Sequence, residues 1–324
     1  MTQIQEKNDS NRISVAPMLD WTDSAFRTFL RLICRRAMFY TEMIACPALI
    51  LGDRQRLLKY NPVEHPLTLQ VGGSDPHLMG LCAQMAYEAG YKGVNINAGC
   101  PSGRVQSGRF GAILMKTPEV IADCVAQMRA KSPLPVSVKT RIALADTAGD
   151  GFKELFHLTD LVTRAGCRHL IIHARKAKLN LSPRDNRQKL PLDYETVYRL
   201  KKSFPDIFIT INGNILSLDA ATEHLTHVDG AMIGRLAYAQ PYALATADNR
   251  FFGDSHPVLS RREVFEAFLP YLDTHQDRLS VICPHLMGLF HGTPCAKTYR
   301  QTLASCDWER IRALPETLKQ TFVD

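Results

Sequence analysis

The stretch ISVAPMLDWTD, residues 13–23, is the first β-rich run of the chain, and the residues that follow it distinguish two fold classes. A doubly wound α/β sheet usually places a glycine-rich phosphate-binding turn directly after its first strand. Here positions 13–18 run into LDWTD, residues 19–23, which contains no glycine. The stretch therefore favours a (β/α)8 barrel, and the doubly wound sheet is the alternative.

Further β-rich runs follow at helix-length intervals, which supports the barrel. With the first run, they cover residues 13–18, 38–42, 67–70, 93–97, 136–139, 169–173, 207–212 and 230–234. The intervening segments 76–89 and 118–131 each begin with proline, a favoured first helical residue, and have apolar residues at helical spacing. Ala-Gly pairs at 89–90 and 165–166 are typical helix stops. Eight strand–helix units in series predict the α/β class and a TIM barrel.

Nearly every predicted strand ends in a residue that can bind a ligand or take part in chemistry. These residues are Met18, Glu42, Gln70, Asn95, Asn97, Lys139, His173, Asn212, Gly234 and Arg235. Active sites of such barrels lie at the carboxyl ends of the strands. A set of this size is hard to explain by packing, so it predicts a site at the barrel mouth.

The strand pattern stops after about Pro241, where the remaining chain has the spacing of amphipathic helices at 257–273 and 278–290. We predict a catalytic barrel over residues 1–253 and a small helical domain over residues 254–324. The basic residues of this tail are Arg261, Arg262, Lys297, Arg300, Arg310, Arg312 and Lys319.

Composition limits the class of protein. The 324 residues are 45% hydrophobic and carry a net charge of +7, which permits a polyanionic partner without requiring one. No apolar run approaches the roughly 20 residues that span a bilayer, and the polar residues 1–12 lack a secretory signal, so we expect a cytoplasmic protein with a short leader. The nine cysteines have no C-x-x-C spacing, which argues against a disulfide framework and a zinc site.

Cys100 differs from the other cysteines because it lies in GCPSGRVQSGRFGAILM, residues 99–115, after the fourth strand. The four glycines of this segment predict a mobile loop over the barrel mouth. A cysteine there is a candidate proton donor or nucleophile, and a buried structural thiol is equally compatible with the spacing. Arg104 and Arg109 would lower its pKa if they lie close in space.

Residues at several strand ends predict a flavin site. A cation at Lys139 suits the negatively charged edge of a reduced flavin, and Gln70 can bond the same ring system or serve as a strand-end turn residue. His173, the run 212–214 and the pair 234–235 follow strands six to eight, where barrels commonly form a phosphate site. His173 taken alone is more typical of a core histidine, and the three groups together favour phosphate binding.

A basic loop follows the sixth strand and contains Arg175, Lys176, Lys178, Arg184 and Arg187. Such a loop is either simply solvated or contacts a nucleic-acid backbone.

Long motifs of the chain resemble the tRNA-dihydrouridine synthases, in particular the A-type bacterial subfamily. They are VAPMLDWTD (15–23), PLTLQVGG (66–73), GVNINAGCPSGRVQSGRFGAILM (93–115), VSVKTRIA (136–143), HARKA (173–177), ITINGNI (209–215), AMIGRLAY (231–238) and, more weakly, GLFHGTPCAKTYRQ (288–301). The chain departs from the family pattern at Lys178, where an aromatic is usual, and at Lys297 and Gln301, where arginines are usual. These departures concern the details of tRNA contact.

The resemblance implies non-covalent FMN, NADPH as the reductant, and tRNA uridines 20 and 20a as the target. It makes Cys100 the proton donor to C5 of the uracil, and Asn95, Asn97 and Arg141 are candidates to hold the uracil edge. It places Pro17, Met18, Leu19, Gln70, Lys139, His173, Asn212, Gly213, Asn214, Gly234 and Arg235 at the FMN. It places Asn97, Arg184, Arg187, Lys297 and Arg300 at the tRNA.

We expect a monomer with no metal and no membrane partner. Two other functions are compatible with these residues. One is an FMN barrel that acts on a free pyrimidine, as a dihydroorotate-type oxidase does, and the other is an RNA-binding protein with an inactive barrel.

Overall fold

The computed structural model describes residues 10–147 and 149–319, so most of the expected leader lies outside the described residues. Within them, one parallel sheet of nine strands forms the centre of the molecule. The strands are β1 Ile13–Val15, β2 Met38–Tyr40, β3 Ile44–Ala45, β4 Leu67–Gly72, β5 Gly93–Asn97, β6 Val136–Arg141, β7 His169–His173, β8 Phe208–Asn212 and β9 Gly230–Ile233.

The sheet closes on itself. Strand β1 pairs with both β2 and β9, and β2 pairs with β4 through Phe39 with Leu67 and Tyr40 with Thr68. Eight strands therefore form a closed barrel, which confirms the predicted fold class. The additional strand β3 pairs with the carboxyl end of β4. The sequence did not predict it because two residues are too short for an alternating pattern.

Helices surround the barrel. Those of the strand–helix repeat are α1 Ser24–Ile33, α2 Cys46–Leu51, α3 Arg54–Leu58, α4 Pro76–Glu88, α5 Gly103–Ser107, α6 Pro118–Lys131, α7 Phe152–Arg164, α8 Pro183–Lys189, α9 Tyr194–Ser203, α10 Leu218–His224 and α11 Arg235–Ala239. Prolines begin α4 and α6, as predicted. Gly90 and Gly166 follow α4 and α7 with φ of 87° and 97°, a conformation that favours glycine and ends a helix.

Helix α12 Ala247–Phe252 precedes the tail. The tail is helical, as predicted, with α13 Arg261–Asp273, α14 Leu279–Leu286, α15 Ala296–Ala304, α16 Trp308–Arg312 and α17 Leu314–Lys319. Helix α13 begins four residues later than expected. Ser260 accepts a hydrogen bond from the backbone N–H of Glu263, whose carboxylate bonds the backbone N–H of Ser260 in return. This capping box fixes the start of the helix.

The tail packs directly on α1 of the barrel. Phe268 of α13 lies edge-on to Phe29 of α1, with 5.4 Å between ring centroids, and both rings are buried. His285 of α14 is 3.3 Å from the carboxylate of Asp23, the N-cap of α1. Barrel and tail thus share one hydrophobic core, and the domain boundary near residue 254 stays a prediction. None of the helices in the described ranges is long and apolar enough to cross a membrane.

Replacing Phe268 with alanine leaves a cavity between the tail and α1. We expect Phe268→Ala to lower the free energy of unfolding by about 3–5 kcal/mol, measured by urea denaturation. Val281→Ala, on the exposed side of α14, is the control and changes it by less than about 0.5 kcal/mol. A small loss at Phe268, or a tail that melts before the barrel, would contradict the shared core.

Candidate active site

Three buried or half-buried amides join neighbouring strands below the barrel mouth. Gln70 of β4 pairs with Asn95 in the middle of β5, which pairs with Ser137 near the start of β6, and Asn97 is the last residue of β5. Gln70 Nε2 donates to Asn95 Oδ1 over 2.7 Å, and Gln70 Oε1 accepts from Asn97 Nδ2 over 2.9 Å. Asn95 Nδ2 donates to Ser137 Oγ over 2.9 Å. A buried network with satisfied partners is rigid, so this amide ladder fixes the strand ends.

The amide ladder also holds the cysteine. The Oδ1 atom of Asn97 accepts hydrogen bonds from the backbone N–H groups of Gly99 (3.2 Å) and Cys100 (3.0 Å). The half-buried thiol of Cys100 lies 3.6 Å from the Ser102 hydroxyl. Both ends of the Asn97 carboxamide are therefore engaged inside the protein. The structure gives Asn97 a positioning role, and its contact with tRNA stays a prediction.

The segment after Cys100 contains helical turns, which the sequence did not predict, and its mobility stays a prediction. It contains α5 and a 3-10 helix at Gly111–Lys116, and its side chains Val105 and Phe110 are buried. Gly111 has φ of 75°, and a Cβ there would lie 2.6 Å from the carbonyl oxygen of Cys100. Glycine is thus needed at this position for a close backbone approach. We call residues 99–116 the Cys100 loop.

The cations near the thiol are Lys139 and Arg141, each on β6. Burial lowers the pKa of Lys139 and of Arg141, and the nearby Cys100 thiol group opposes this shift, whereas Arg104 and Arg109 are exposed on the Cys100 loop. The effect of the two loop arginines on Cys100 stays a prediction. Sequence reasoning did not place the two strand cations beside Cys100, because β6 lies beside β5 only in the folded sheet.

Burial at the mouth lowers the pKa of its cationic groups. Burial, followed by the nearby Arg141 charge, lowers the pKa of Lys139 to about 8. Its Nζ donates to Asn212 Oδ1 over 3.2 Å. Burial, with the Arg141 and Lys139 charges, also holds the pKa of His173 well below its usual value. His173 is thus a neutral imidazole that faces two cations.

The loop after β9 leaves room close to the backbone, as a phosphate site requires, whereas the loop after β8 is tightly packed at a glycine with positive φ. Gly213 has φ of 131°, and a Cβ there would lie 3.1 Å from the His173 ring. A Cβ on Gly234 would meet only Ala16, at 3.8 Å, and otherwise open space. Arg235 is exposed and lies 3.5 Å from the side-chain oxygen of Asn214. The predicted residues 212–214 and 234–235 are thus brought together.

Arg235 is one of three arginines that lie close to each other without an acidic partner. Burial, then the charges of Arg235 and Arg175, lower the pKa of Arg187. Burial and the Arg235 charge likewise lower the pKa of Arg175. None of the three forms an ion pair with a carboxylate within the described ranges. Three uncompensated guanidinium groups make the mouth attractive to phosphate.

The basic loop after β7 is also folded. Asn186, fully buried in α8, accepts a hydrogen bond from Lys178 N (2.8 Å), and the two hydrogens of its Nδ2 are shared among the carbonyls of Lys178, Leu181 and Ser182 (2.9–3.1 Å). Arg184 is exposed and Arg187 is half-buried on the same helix. We call residues 175–189 the basic segment. Sequence reasoning missed Asn186, since an asparagine in a polar loop gives no signal of burial.

The loop after β1 carries the predicted residues Pro17, Met18 and Leu19. Met18 N donates to the Thr22 hydroxyl over 2.9 Å, and Leu19 is 58% exposed. Asp20 N donates to Glu42 Oε1 over 2.5 Å, so the end of β2 supports this loop. An apolar side chain presented at the mouth suits the face of a planar ring.

The tail presents fewer free cations than its composition indicates. Arg261 donates to the carbonyl of Leu289 over 2.6 Å, and Arg262 pairs with Glu266 over 2.8 Å. Lys297 and Arg300 are exposed on α15, as are Arg310 and Arg312 on α16. These four residues are exposed cations of the tail.

The mouth of this closed parallel barrel carries a thiol, two buried cations and two neighbouring loops suited to a phosphate. These features define an enzyme of the cofactor-dependent barrel class. The family model described as Dihydrouridine synthase (Dus) matches residues 14–322. The chain belongs to this family, and it is a flavin-dependent oxidoreductase, as predicted.

Relatives agree along nearly the whole chain. The tRNA-dihydrouridine(20/20a) synthase of Synechocystis sp. is 47% identical over 308 residues, which cover 94% of this chain and 92% of that protein. The protein of the same name from Shewanella oneidensis is 49% identical, over 92% of this chain and 89% of its own. Among solved structures, a 2-naphthoyl-CoA reductase complex is similar with a TM-score of 0.58 and 12% identity, over 73% of this chain and 49% of that one. That likeness concerns the fold alone.

Charging Lys139 in the folded protein costs free energy, because its folded pKa of about 8 lies below the unfolded value of 10.5. Between these values the unfolded state binds more protons, so this group adds stability as pH rises through the window. We expect cofactor-free Lys139→Met to be more stable than the parent at pH 7, by about 1–3 kcal/mol, with the difference shrinking toward pH 10. Urea denaturation at several pH values measures it, with Lys202→Met as the exposed control. A Lys139→Met variant that is less stable than the parent at pH 7 would show that burying the charged Lys139 side chain does not destabilise the folded protein.

Proposed function

We propose that the chain is a tRNA-dihydrouridine(20/20a) synthase, which reduces the C5=C6 bond of uridines 20 and 20a of tRNA. One observation carries the chemistry: the Cys100 thiol is held at the barrel mouth beside Lys139 and Arg141, which have no carboxylate partner in the described residues. Family membership and the names of relatives support the substrate. In this proposal the barrel carries out the reduction, and the tail from residue 254 binds the tRNA. We propose a cytoplasmic monomer.

The residues at the mouth fit FMN. Lys139 on β6 would offer a cation to the anionic edge of the reduced ring, and Gln70 lies two strands away on β4. Open space at Gly234, the glycine conformation of Gly213 and the exposed charge of Arg235 suit its phosphate. These residues therefore fit the FMN that the resemblance implies. The proposed FMN site also includes Pro17, Met18, Leu19, His173, Asn212 and Asn214.

When bound, a flavin reduced by NADPH supplies the hydride that C6 of the uracil ring must gain. The chain supplies the proton: the Cys100 Sγ–H bond breaks, C5 gains the proton, and the resulting thiolate lies beside Arg141 and Lys139, which stabilise its charge. The neutral imidazole of His173 adds no charge of its own and can hydrogen-bond the flavin.

The target base must leave the tRNA fold to reach this site, because a stacked uridine hides its C5=C6 bond. The uncompensated cations of the basic segment, Arg184 and Arg187, and those of the tail, Lys297 and Arg300, would hold the RNA backbone during this step. Such contacts carry no base information, so they position the tRNA rather than read it.

We expect Cys100→Ala to lower the rate of dihydrouridine formation by about 10²–10⁴-fold, because the general acid is lost. Flavin content and the rate at which NADPH bleaches the flavin should stay unchanged. Single-turnover reoxidation of the reduced enzyme by unmodified tRNA measures the step. Cys306→Ala, which removes a half-buried thiol of the tail, is the control and should react at the parental rate. Near-normal turnover by Cys100→Ala would reject the proton-donor role, and parental activity on free uracil would favour the free-pyrimidine alternative.

We expect the double variant Lys297→Glu/Arg300→Glu to bind tRNA more weakly and with a shallower salt dependence. Loss of two phosphate contacts reduces the slope of log K against log[salt] by about 1–2. Lys202→Glu, which reverses one exposed charge on α9, is the control and leaves the slope unchanged. Filter binding across a salt series with flavin-loaded enzyme measures both. An unchanged slope in the double variant would remove α15 from the RNA interface.

A further inference from the structure

One side chain bridges the Cys100 loop and the basic segment. The half-buried carboxamide of Gln106 donates from Nε2 to the carbonyl of Pro101 over 2.8 Å and to the carbonyl of Leu179 over 2.6 Å. Pro101 adjoins Cys100, and Leu179 lies in the basic segment. The two hydrogens of one amide thus tie the residue beside the thiol to the segment that carries Arg187.

The far end of this bridge is itself fixed by Asn186. Its hydrogen bonds hold Lys178, Leu181 and Ser182 against α8, so Leu179 cannot move without displacing that helix. Arg187 is the next residue on α8. The path from the RNA-facing arginine to the thiol therefore runs through two amides, Asn186 and Gln106.

Deeper in the mouth, Arg141 makes a second connection between the same two segments. Its Nε donates to the carbonyl of Gly99 over 2.9 Å and its Nη1 to that of Lys176 over 3.1 Å. Arg141 thus fixes both segments deep in the mouth. Gln106 joins them nearer the surface, where the Cys100 loop would otherwise be free to shift. A shift of about 1 Å in a reacting group can cost as much as 10²-fold in rate.

We propose that Gln106 and Asn186 are positioning residues that couple the basic segment to the proton donor, so that the placement of the RNA-facing arginines sets the placement of the Cys100 thiol. The inference rests on the proposed function, since it assigns to these amides a part in the proton transfer to uridine. Neither residue touches the substrate. Both act through the backbone that carries Cys100 and Arg187.

Gln106→Leu removes both hydrogen bonds at nearly constant volume and tests the bridge. We expect single-turnover reduction of tRNA by the flavin-loaded, pre-reduced enzyme to fall by about 10- to 100-fold. The affinity for tRNA should change less than about 3-fold, because no contact with RNA is removed. Flavin content and reduction by NADPH should match the parent. Gln84→Leu, which removes an exposed amide bonded to Glu88 on α4, is the control and should react normally.

Gln106→Glu covers the case in which the leucine variant folds poorly. Its carboxylate would face two carbonyl oxygens, whereas its protonated acid can donate one hydrogen bond. We expect its single-turnover rate relative to that of the parent to rise as pH is lowered. A structural defect alone would not reverse with pH in this way.

A double-mutant cycle separates coupling from two independent defects. If both amides lie on one path, Asn186→Ala lowers the same step, and Gln106→Leu/Asn186→Ala is hardly slower than the slower single variant. Independent roles would make the two fold-losses multiply. Three results would overturn the proposal. They are parental rates in both Gln106 variants, fold-losses that multiply in the double variant, and losses in rate that weaker RNA binding or missing flavin explains. A parent enzyme that does not reduce tRNA would instead reject the proposed function, and the two failures are thus distinct.

Discussion

The amide ladder of Gln70, Asn95 and Asn97 is the constraint on which the site depends. Each carboxamide uses its oxygen and nitrogen on a neighbouring strand or on the backbone of the Cys100 loop. Closure of the barrel sets the spacing of β4, β5 and β6, and the ladder converts that spacing into a fixed position for the thiol. A satisfied buried network of this kind gives rigidity because any unpaired member is costly.

The cations around the mouth show the opposite arrangement. Lys139 and Arg141 are buried enough for their pKa values to fall to about 8 and about 10, and no acidic residue of the described chain pairs with them. Arrangements of this kind reduce the stability of the empty protein and are typical of sites that bind an anion. The fold can bear the cost because the barrel and the tail share one large core, to which Phe29 and Phe268 contribute.

Local patterns in the sequence were enough to predict the barrel, its eight strands and a site at their carboxyl ends. They also predicted the gathering of Asn212, Gly213 and Arg235, since consecutive strands of a barrel end side by side. They did not reveal the fold of the Cys100 loop, the link between Asn97 and Cys100, or the burial of Asn186. Those features depend on hydrogen bonds between segments far apart in sequence, and no local pattern records them.

The central claim is that this chain makes dihydrouridine at two positions of tRNA, and mapping the modification in cells tests it most directly. Dihydrouridine would be located nucleotide by nucleotide in tRNA from cells that lack the gene and from cells that regain this chain. The account predicts loss at positions 20 and 20a alone, with recovery when the chain is restored. Unchanged dihydrouridine at both positions, or loss at other positions only, would contradict it.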